Sequence, residues 1–271
     1  NKGGDLYEEM AQWSPDPSRV NVPISDGAGQ FRAIGRVVTM SKYHEIGNRI
    51  DVSMQLMEGA GVVDELKDIT KALNFDVDDG AQSREAQIVI VSSLAGGSGA
   101  GSIVDVGDIV RAKVTNDSQW SDNSVGVLYT PDVFDGEVNN VSIEANSLFS
   151  LTEIVSGFYD SKPGERPVSN ILPQFGIEKP NDTRRGPRYN FVIGKSNGQI
   201  SFPTPQDIFK NTGRLLSAWC LDPQITDVIK ANVLTNWEAE CADVQNVTGL
   251  YHPVGPQGVK PGFPLNSMGY S

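Results

Sequence analysis

Residues 87–113, QIVIVSSLAGGSGAGSIVDVGDIVRAK, decide the fold of this protein. The segment opens with the β-branched run Ile88–Val91, which is typical of a strand buried on both faces. A loop almost without side chains follows, Ala95–Ser102, and apolar residues then recur at helical spacing. Asp105 and Asp108 are predicted near the start of that helix, where carboxylates are favoured. Strand, glycine loop and helix direct backbone N–H groups at one point, which predicts a site for an anion such as a phosphate.

Other phosphate-binding motifs match this chain less well. The dinucleotide fingerprint G-x-G-x-x-G would require a glycine three residues after Gly99, where Ser102 stands. Gly194–Ser196 matches the end of a P-loop, but Tyr189 occupies the position of that motif's first glycine. A tight strand-to-helix connection without a ligand remains the alternative for the glycine loop.

A second glycine-containing segment, DGAGQFRAIGR, spans Asp26–Arg36. Its glycines permit a close approach of the backbone to a ligand, and Arg32 and Arg36 are suited to phosphate oxygens. We therefore predict a second phosphate-binding loop here. A surface turn with solvated arginines is the alternative interpretation.

Composition restricts the class of protein and its partners. The 271 residues are 38% hydrophobic, carry a net charge of −12 and include two cysteines. The acidic balance argues against a nucleic-acid partner, and the cysteine usage predicts a cytoplasmic protein without disulfides. No apolar run reaches the roughly 18 residues of a membrane span, and no side-chain metal site is predicted. Because the chain begins at Asn1 and stops at Ser271 within a Gly- and Pro-rich segment, we expect a piece of a longer protein.

The remaining patterns alternate between helix and strand. Residues 160–187 are predicted to be a surface excursion, and the tail from Thr248 to be loop-like. The apolar stripe of the helix predicted over Ser142–Tyr159 contains Leu148. The predicted elements are a short helix at Leu6–Trp13, one or two helices over His44–Leu73 with a break near Gly59–Gly61, a strand at Val125–Thr130, a helix at Ser142–Tyr159, a strand at Tyr189–Gly194, and helices at Pro205–Leu221 and Gln224–Val244.

These βα units predict an α/β fold with a doubly wound, mostly parallel sheet and helices on both faces. The ligand of such a sheet lies beyond the carboxyl ends of its strands, where the glycine and Asn/Asp loops collect. We predict a nucleotide-binding domain over residues 1–222. A following helix and the truncated start of a second region would occupy residues 223–271.

The glycine segments resemble loops of the tubulin/FtsZ superfamily. Ala95–Gly101, AGGSGAG, is similar to the signature GGG-T-G-[ST]-G, and Gly27–Arg36 is similar to the tubulin segment GAGNNWAKGH position for position. The Pro131–Gly136 loop, the Glu144–Asn146 helix start and Asn197 follow in the family's order. The resemblance is nearest to divergent bacterial tubulin-like proteins.

The resemblance implies a site for GTP or GDP with Mg²⁺. In the family, the loop that corresponds to Gly27–Arg36 faces the terminal phosphate. The loops that correspond to Pro131–Gly136, Glu144–Asn146 and Asn197 touch the ribose and the guanine. The implied nucleotide-binding residues are Gly27, Ala28, Gly29, Gln30, Arg32, Ala95, Gly96, Gly97, Ser98, Gly99, Ala100, Gly101, Pro131, Asp132, Asp135, Glu144, Asn146 and Asn197. Replacing Gly99 with Val is expected to abolish binding and to leave the protein folded.

The chain also departs from the family. The family's first strand and its glycine loop have no counterpart in this chain, and insertions are expected near residues 44–83 and 160–187. The catalytic loop is matched only loosely by Leu234–Glu240, in which Glu238 and Glu240 are the candidate catalytic residues. A solvated helix face is the alternative for these two side chains.

The family implies a GTP-binding protein that self-associates head to tail into filaments. GTP would be hydrolysed at the subunit interface, and an acidic residue of the neighbouring subunit would position the attacking water. Two alternatives remain open. One is a nucleotide-binding structural module without hydrolysis, and the other is a Rossmann-type enzyme that uses NAD or S-adenosylmethionine, in which Asp132 would hold the ribose.

Overall fold

The computed structural model describes residues 27–72, 87–114, 124–136, 143–159, 185–222, 224–229, 231 and 265–267. Within these residues, four parallel strands form one sheet whose strand order follows the chain. The all-parallel pairing confirms the predicted sheet type. The strands are β1 (Val89–Ser93), β2 (Val125–Tyr129), β3 (Tyr189–Ile193) and β4 (Leu265–Ser267).

Six α-helices and one 3₁₀ helix have defined bounds in the described residues. The predicted break within His44–Leu73 is confirmed, because one helix ends at Met57 and the next begins at Ala60. The helices are α1 (Arg32–Ser41), α2 (Tyr43–Met57), α3 (Ala60–Ala72), α4 (Gly97–Val114), the 3₁₀ helix Pro131–Phe134, α5 (Ile143–Tyr159) and α6 (Pro205–Leu221).

The core lies on both faces of β2, whose five residues are all buried. On one face, Val125 and Val127 belong to a cluster with Ile208 and Trp219 of α6. On the other face, Leu128 packs with residues of α4 and α5. Because helices cover both faces of β2, this strand is apolar without alternation, as the sequence predicts. The prediction that Ile88–Val91 is buried on both faces is wrong for Val91, which is 51% exposed.

Helices α1 and α4 approach each other closely because glycines line their contact. A Cβ on Gly35 would overlap the carbonyl oxygen of Gly97, and one on Gly101 would overlap that of Arg32. The prediction that Asp26–Arg36 is a loop is therefore wrong from Arg32 onwards, where α1 begins. The glycine spacing serves helix packing here.

A buried network of charges joins α4 to α1 and to the segment before β3. Asp105 lies 2.7 Å from Arg36 and 3.3 Å from Arg185. Asp108 accepts from Arg185 Nε and from the Gly186 amide, both at 2.6 Å. Burial raises the pKa of the Asp108 carboxyl above its ordinary value, against the opposing effect of Arg185. The pKa of Arg185 is also raised, because Asp108 and Asp105 outweigh the effect of burial.

This network corrects three predictions. Asp105 and Asp108 are not charges at a helix start, since α4 begins at Gly97 and both side chains lie buried in its middle. Arg185, placed in a surface excursion by its polar, proline-rich context, is buried. Arg36 is likewise buried against Asp105 and is not available to a phosphate. Each of these side chains is buried against an oppositely charged partner that lies far away in the sequence.

Two further predictions are corrected at the level of elements. The tail is not entirely loop, because Leu265–Ser267 pairs with Asn190–Val192 as β4. Leu148, predicted in the apolar stripe of its helix, is 66% exposed, whereas Ile154 of that stripe is buried. Residues 224–229 and 231 are helical, and the other residues of Gln224–Val244 lie outside the described residues, as does Leu6–Trp13.

Candidate functional site

The carboxyl ends of the first three strands lie side by side at one edge of the sheet. Ser93 pairs with Tyr129, and Tyr129 pairs with Ile193. Main-chain hydrogen bonds continue this alignment past the strands, from Leu94 N to Tyr129 O at 2.9 Å and from Thr130 N to Ile193 O at 3.0 Å. The segments that follow the three strands therefore meet at this edge, as expected for a parallel sheet.

The segment Ala95–Gly101, called the signature loop below, connects β1 to α4. The prediction of a loop over Ala95–Ser102 is wrong from Gly97 onwards, because α4 begins there. The Gly97 amide donates to Gly29 O at 2.8 Å, and the Ala95 amide donates to Ser93 Oγ at 3.1 Å. Within the described part of the chain, the amides of Gly96, Ser98 and Gly99 donate to no protein acceptor. These N–H groups at the start of an 18-residue helix are free to bind an anion.

The Gly27–Gln30 loop lies against the signature loop. Gly27 and Gly29 have φ values of 84° and 53°, in the left-handed region that favours glycine. The Phe31 amide donates to Ala28 O at 2.9 Å and closes the turn before α1. The turn presents Gly29 O to the Gly97 amide, so that both predicted phosphate loops border the same helix N-terminus.

Asn146 connects the two loops from α5. Its Nδ2 donates to Gln30 O at 2.8 Å and to Ala95 O at 3.0 Å. Ser150, one turn later, donates to Ala100 O at 2.9 Å. The structure thus brings together residues from three of the five segments that the family resemblance identified, Gly27–Arg36, Ala95–Gly101 and Glu144–Asn146. Asn146 is bonded to the protein backbone.

Arg32 packs between α4 and α5. Its Nε donates to Ala100 O at 3.0 Å and to Ser150 Oγ at 3.2 Å, and its Nη2 forms an ion pair with Glu153. The side chain lies at the first turn of α1, where it neutralises a carboxylate of α5. A contact of Arg32 with phosphate stays a prediction.

Asp132 joins the ends of β2 and β3. One carboxylate oxygen accepts from the Lys195 amide at 2.6 Å, and the other accepts from the Thr130 hydroxyl. That hydroxyl also lies 3.0 Å from Ile193 O. Asp132 therefore holds the turn after β3 in place. Pro131 begins the short 3₁₀ helix on which Asp132 lies.

Asn197 lies in the exposed turn that follows β3. Its Oδ1 accepts from the amides of Gln199 and Ile200 at 3.0 and 2.8 Å. The carbonyl side of the amide is thereby committed to the turn. Asp135 and Glu144 are exposed. Glu238 and Glu240 lie outside the described residues, so that their assignment as catalytic residues stays a prediction.

The comparison with known proteins decides the family. A family model described as "Tubulin like" matches residues 1–244. The chain belongs to the tubulin-like family. No curated protein and no solved structure matches this tubulin-like chain.

Ser150 and Glu153 of the tubulin-like protein were missed by the sequence analysis. Together with Asn146 they lie at positions i, i+4 and i+7 of α5, and therefore on one face of the helix. This polar spacing is visible in the sequence and could have been found. Its meaning depends on the carbonyl oxygens that the glycine loops supply, which the sequence does not show.

Side chains provide little for a cation in the described part of this tubulin-like chain. No group of three or more His, Cys, Asp or Glu side chains there could hold a metal ion. Nor is any described helix both long and apolar enough to cross a membrane.

Proposed function

We propose that this tubulin-like protein binds GTP or GDP with Mg²⁺ at the carboxyl edge of its sheet and self-associates head to tail. One observation supports the nucleotide site above all others. The unpaired amides of Gly96, Ser98 and Gly99 converge at a helix N-terminus beside the Gly27–Gln30 loop. Family membership supports the choice of a nucleotide over another anion.

Backbone amides are the appropriate donors for a phosphate in this protein. The chain carries a net charge of −12, so its overall field does not attract an anion. The helix N-terminus contributes a local positive potential without a charged side chain. Mg²⁺ would neutralise the phosphate oxygens that the amides do not contact.

Gly96 faces the space that the proposed phosphate would occupy. Among the described residues, a Cβ built there meets only Gly29 O, at 3.9 Å, which is an ordinary van der Waals distance. A larger side chain at this position would fit the protein but would fill the opening between the two loops. This makes Gly96 the residue at which binding can be tested separately from folding.

The test is calorimetric titration of GTP and GDP, with Mg²⁺, into the wild type and the Gly96→Val variant. Gly96→Val is expected to lower GTP affinity by at least about tenfold, because its side chain displaces the phosphate from the amides. Gly213→Val is the matched control, since a Cβ on that α6 glycine meets no atom of the described residues within 4 Å. The proposal fails if the wild type binds neither nucleotide, or if Gly96→Val binds both unchanged.

Self-association is supported by apolar side chains around the site. Leu148 and Phe149 are 66% and 60% exposed, and they follow Asn146 by less than one turn of α5. Phe31, which follows the Gly27–Gln30 loop, is also exposed. Exposed apolar residues of this kind are typical of interaction surfaces. A second subunit that covers the nucleotide would also cover these side chains, and repetition of such a contact builds open filaments.

Hydrolysis requires a group that activates water, and four carboxylates near the described loops are already bonded to protein partners. Asp105 and Asp108 are buried in ion pairs, Glu153 pairs with Arg32, and Asp132 is bonded to the turn after β3. We therefore propose that the acidic residue comes from the neighbouring subunit, with Glu238 and Glu240 as candidates. If neither acts, the protein is a nucleotide-binding structural module without turnover.

A further inference from the structure

We propose that Asn146 is a positioning residue, which holds the two glycine loops at the separation that lets their amides meet one phosphate. The inference rests on the proposed nucleotide site and adds to it a device that shapes that site. Asn146 would act through the loops, and it would not touch the nucleotide.

The hydrogen bonds of Asn146 carry this inference. Its side-chain amide has two hydrogens, and its Nδ2 lies 2.8 Å from Gln30 O and 3.0 Å from Ala95 O. The two acceptors belong to different loops, which are far apart in the sequence. The side chain is 7% exposed, so water cannot easily replace either bond.

The attachment of α5 explains why this link is rigid. Ser150 Oγ lies 2.9 Å from Ala100 O and 2.9 Å from Asn146 O, which joins the helix to the signature loop one turn below Asn146. The Arg32–Glu153 ion pair joins the same helix to α1. Asn146 therefore extends from a helix that is anchored to the elements following both loops.

The loops also contact each other directly, through the bond from the Gly97 amide to Gly29 O. The packing of α1 on α4 fixes the segments that follow the loops, whereas the glycines of the loops themselves restrict the backbone least. The two hydrogen bonds of Asn146 are made close to that contact, at Gln30, which follows Gly29, and at Ala95, which is two residues before Gly97. They remove the freedom that the direct bond leaves.

A direct contact of Asn146 with the ribose is the competing role. Both hydrogens of the amide are committed to the loops, so such a contact would have to use the carbonyl oxygen. A positioning role and a ribose contact predict different responses to the sugar. Only the contact would make the preference for GTP over 2′-deoxyGTP depend on Asn146.

The experiment compares Asn146→Ala with Asn190→Ala in the full chain. Asn190 is the matched control because it is also buried, and its Nδ2 donates to a backbone oxygen, Pro187 O at 2.9 Å, before β3. Calorimetry measures the affinity for GTP and 2′-deoxyGTP with Mg²⁺. Hydrogen–deuterium exchange of the ligand-free protein measures how fast the backbone amides of the Gly27–Phe31 and Leu94–Ser98 segments exchange.

Asn146→Ala is expected to lower the affinity for both nucleotides by about tenfold and to leave their ratio unchanged. Exchange should become faster in both loop segments together. Asn190→Ala should change neither affinity nor loop exchange, whatever it does to the melting temperature. If Asn146→Ala does not fold, Asn146→Ser, which keeps a small hydroxyl group, is measured against the same expectations.

Three results would overturn the positioning role. A loss of discrimination between GTP and 2′-deoxyGTP would assign Asn146 to the ribose. Equal effects of the Asn146 and Asn190 variants would show general destabilisation. Unchanged exchange in either loop would show that Asn146 does not couple them. Failure of the wild type to bind GTP would instead refute the nucleotide site, and the exchange measurement would still decide the coupling.

Discussion

At the scale of single residues, the glycines of the signature loop have two different roles. A Cβ on Gly99 would overlap Ser93 O and lie 2.8 Å from Ser92 Oγ, whereas one on Gly96 has room. Gly99 is thus required by the contact between the start of α4 and the end of β1. The expectation that Gly99→Val leaves the fold intact is therefore wrong, because the clash is with backbone that cannot move away.

Gly99→Ala is expected to destabilise the protein by about 3 kcal/mol or more, since even a methyl group overlaps the backbone. Gly96→Ala should change stability little, because its methyl group would lie at an ordinary contact distance from Gly29. Urea denaturation of the ligand-free variants measures the difference. Equal stability of the two variants would contradict the packing role of Gly99.

At Asn197, a contact with the base can be tested separately from the support that this residue gives to the turn after β3. Its Oδ1 holds the amides of Gln199 and Ile200, which leaves the NH₂ group to contact a base. A donor at this position suits O6 of guanine and is opposed by the amino group of adenine. Asn197→Asp keeps the acceptor and removes this donor.

We expect Asn197→Asp to reduce the preference for GTP over ATP by about five- to tenfold, with the melting temperature retained. Competition titrations with the two nucleotides measure this ratio. Asn48→Asp, at an exposed position on α2, controls for the added charge. An unchanged ratio would reduce Asn197 to an ordinary turn residue.

At the scale of elements, α4 is held by ion pairs as well as by apolar packing. Arg185 reaches Asp105 and Asp108 on this helix and is almost completely buried. Removing one partner of a buried pair leaves the other charged and without compensation. The helix that carries the signature loop therefore depends on a residue just before β3.

Arg185→Met is expected to destabilise the protein by about 3–5 kcal/mol. Arg49→Met should have little measurable effect, because Arg49 pairs with Glu45 on the exposed surface of α2. Denaturant unfolding of both variants tests the contrast between the same substitution at a buried and an exposed pair. Similar stabilities would show that the buried network is not a support of α4.

Between Asn146 and Ser150, helix α5 buries polar side chains and exposes apolar ones. Asn146 and Ser150 are buried, whereas Leu148 and Phe149 are exposed. The polar side faces the glycine loops because their carbonyl oxygens require donors. The apolar side is left for a partner, which connects this element to the assembly of the whole molecule.

At the scale of the whole molecule, we expect Leu148→Ser to raise the protein concentration needed for GTP-dependent assembly by about tenfold. The weaker assembly reflects one leucine side chain that is no longer buried at the interface. Leu56→Ser, at a similarly exposed leucine of α2, is the matched control. Sedimentation of the assembled fraction measures both, and equal effects would contradict an interface at the start of α5.

Hydrolysis should depend on assembly if the acidic residue comes from a neighbouring subunit. The rate of phosphate release per subunit is then expected to rise with protein concentration. Glu238→Ala or Glu240→Ala should retain bound GTP without hydrolysing it, whereas Glu65→Ala, on the exposed surface of α3, should not alter the rate. A rate per subunit that stays constant across the assembly threshold would contradict this arrangement.

The sequence by itself determined the strand–loop–helix segments and the parallel sheet. A β-branched run such as Ile88–Val91 and the helical spacing after Gly101 are local signals, and each is contained in a few consecutive residues. The family resemblance rests on contiguous loops for the same reason. These features can be read without knowing what lies beside them.

Only the tertiary structure decided the partners of the polar residues. Asp105, Arg185 and Asn146 carry no local sign of burial, because a polar side chain is buried only where distant residues supply its hydrogen bonds or opposite charge. The three-residue strand Leu265–Ser267 was missed for a similar reason, since its ladder bonds come entirely from β3. Contacts between residues far apart in the chain determine the burial of these polar residues and the pairing of β4. The periodicity of a single segment does not predict such contacts.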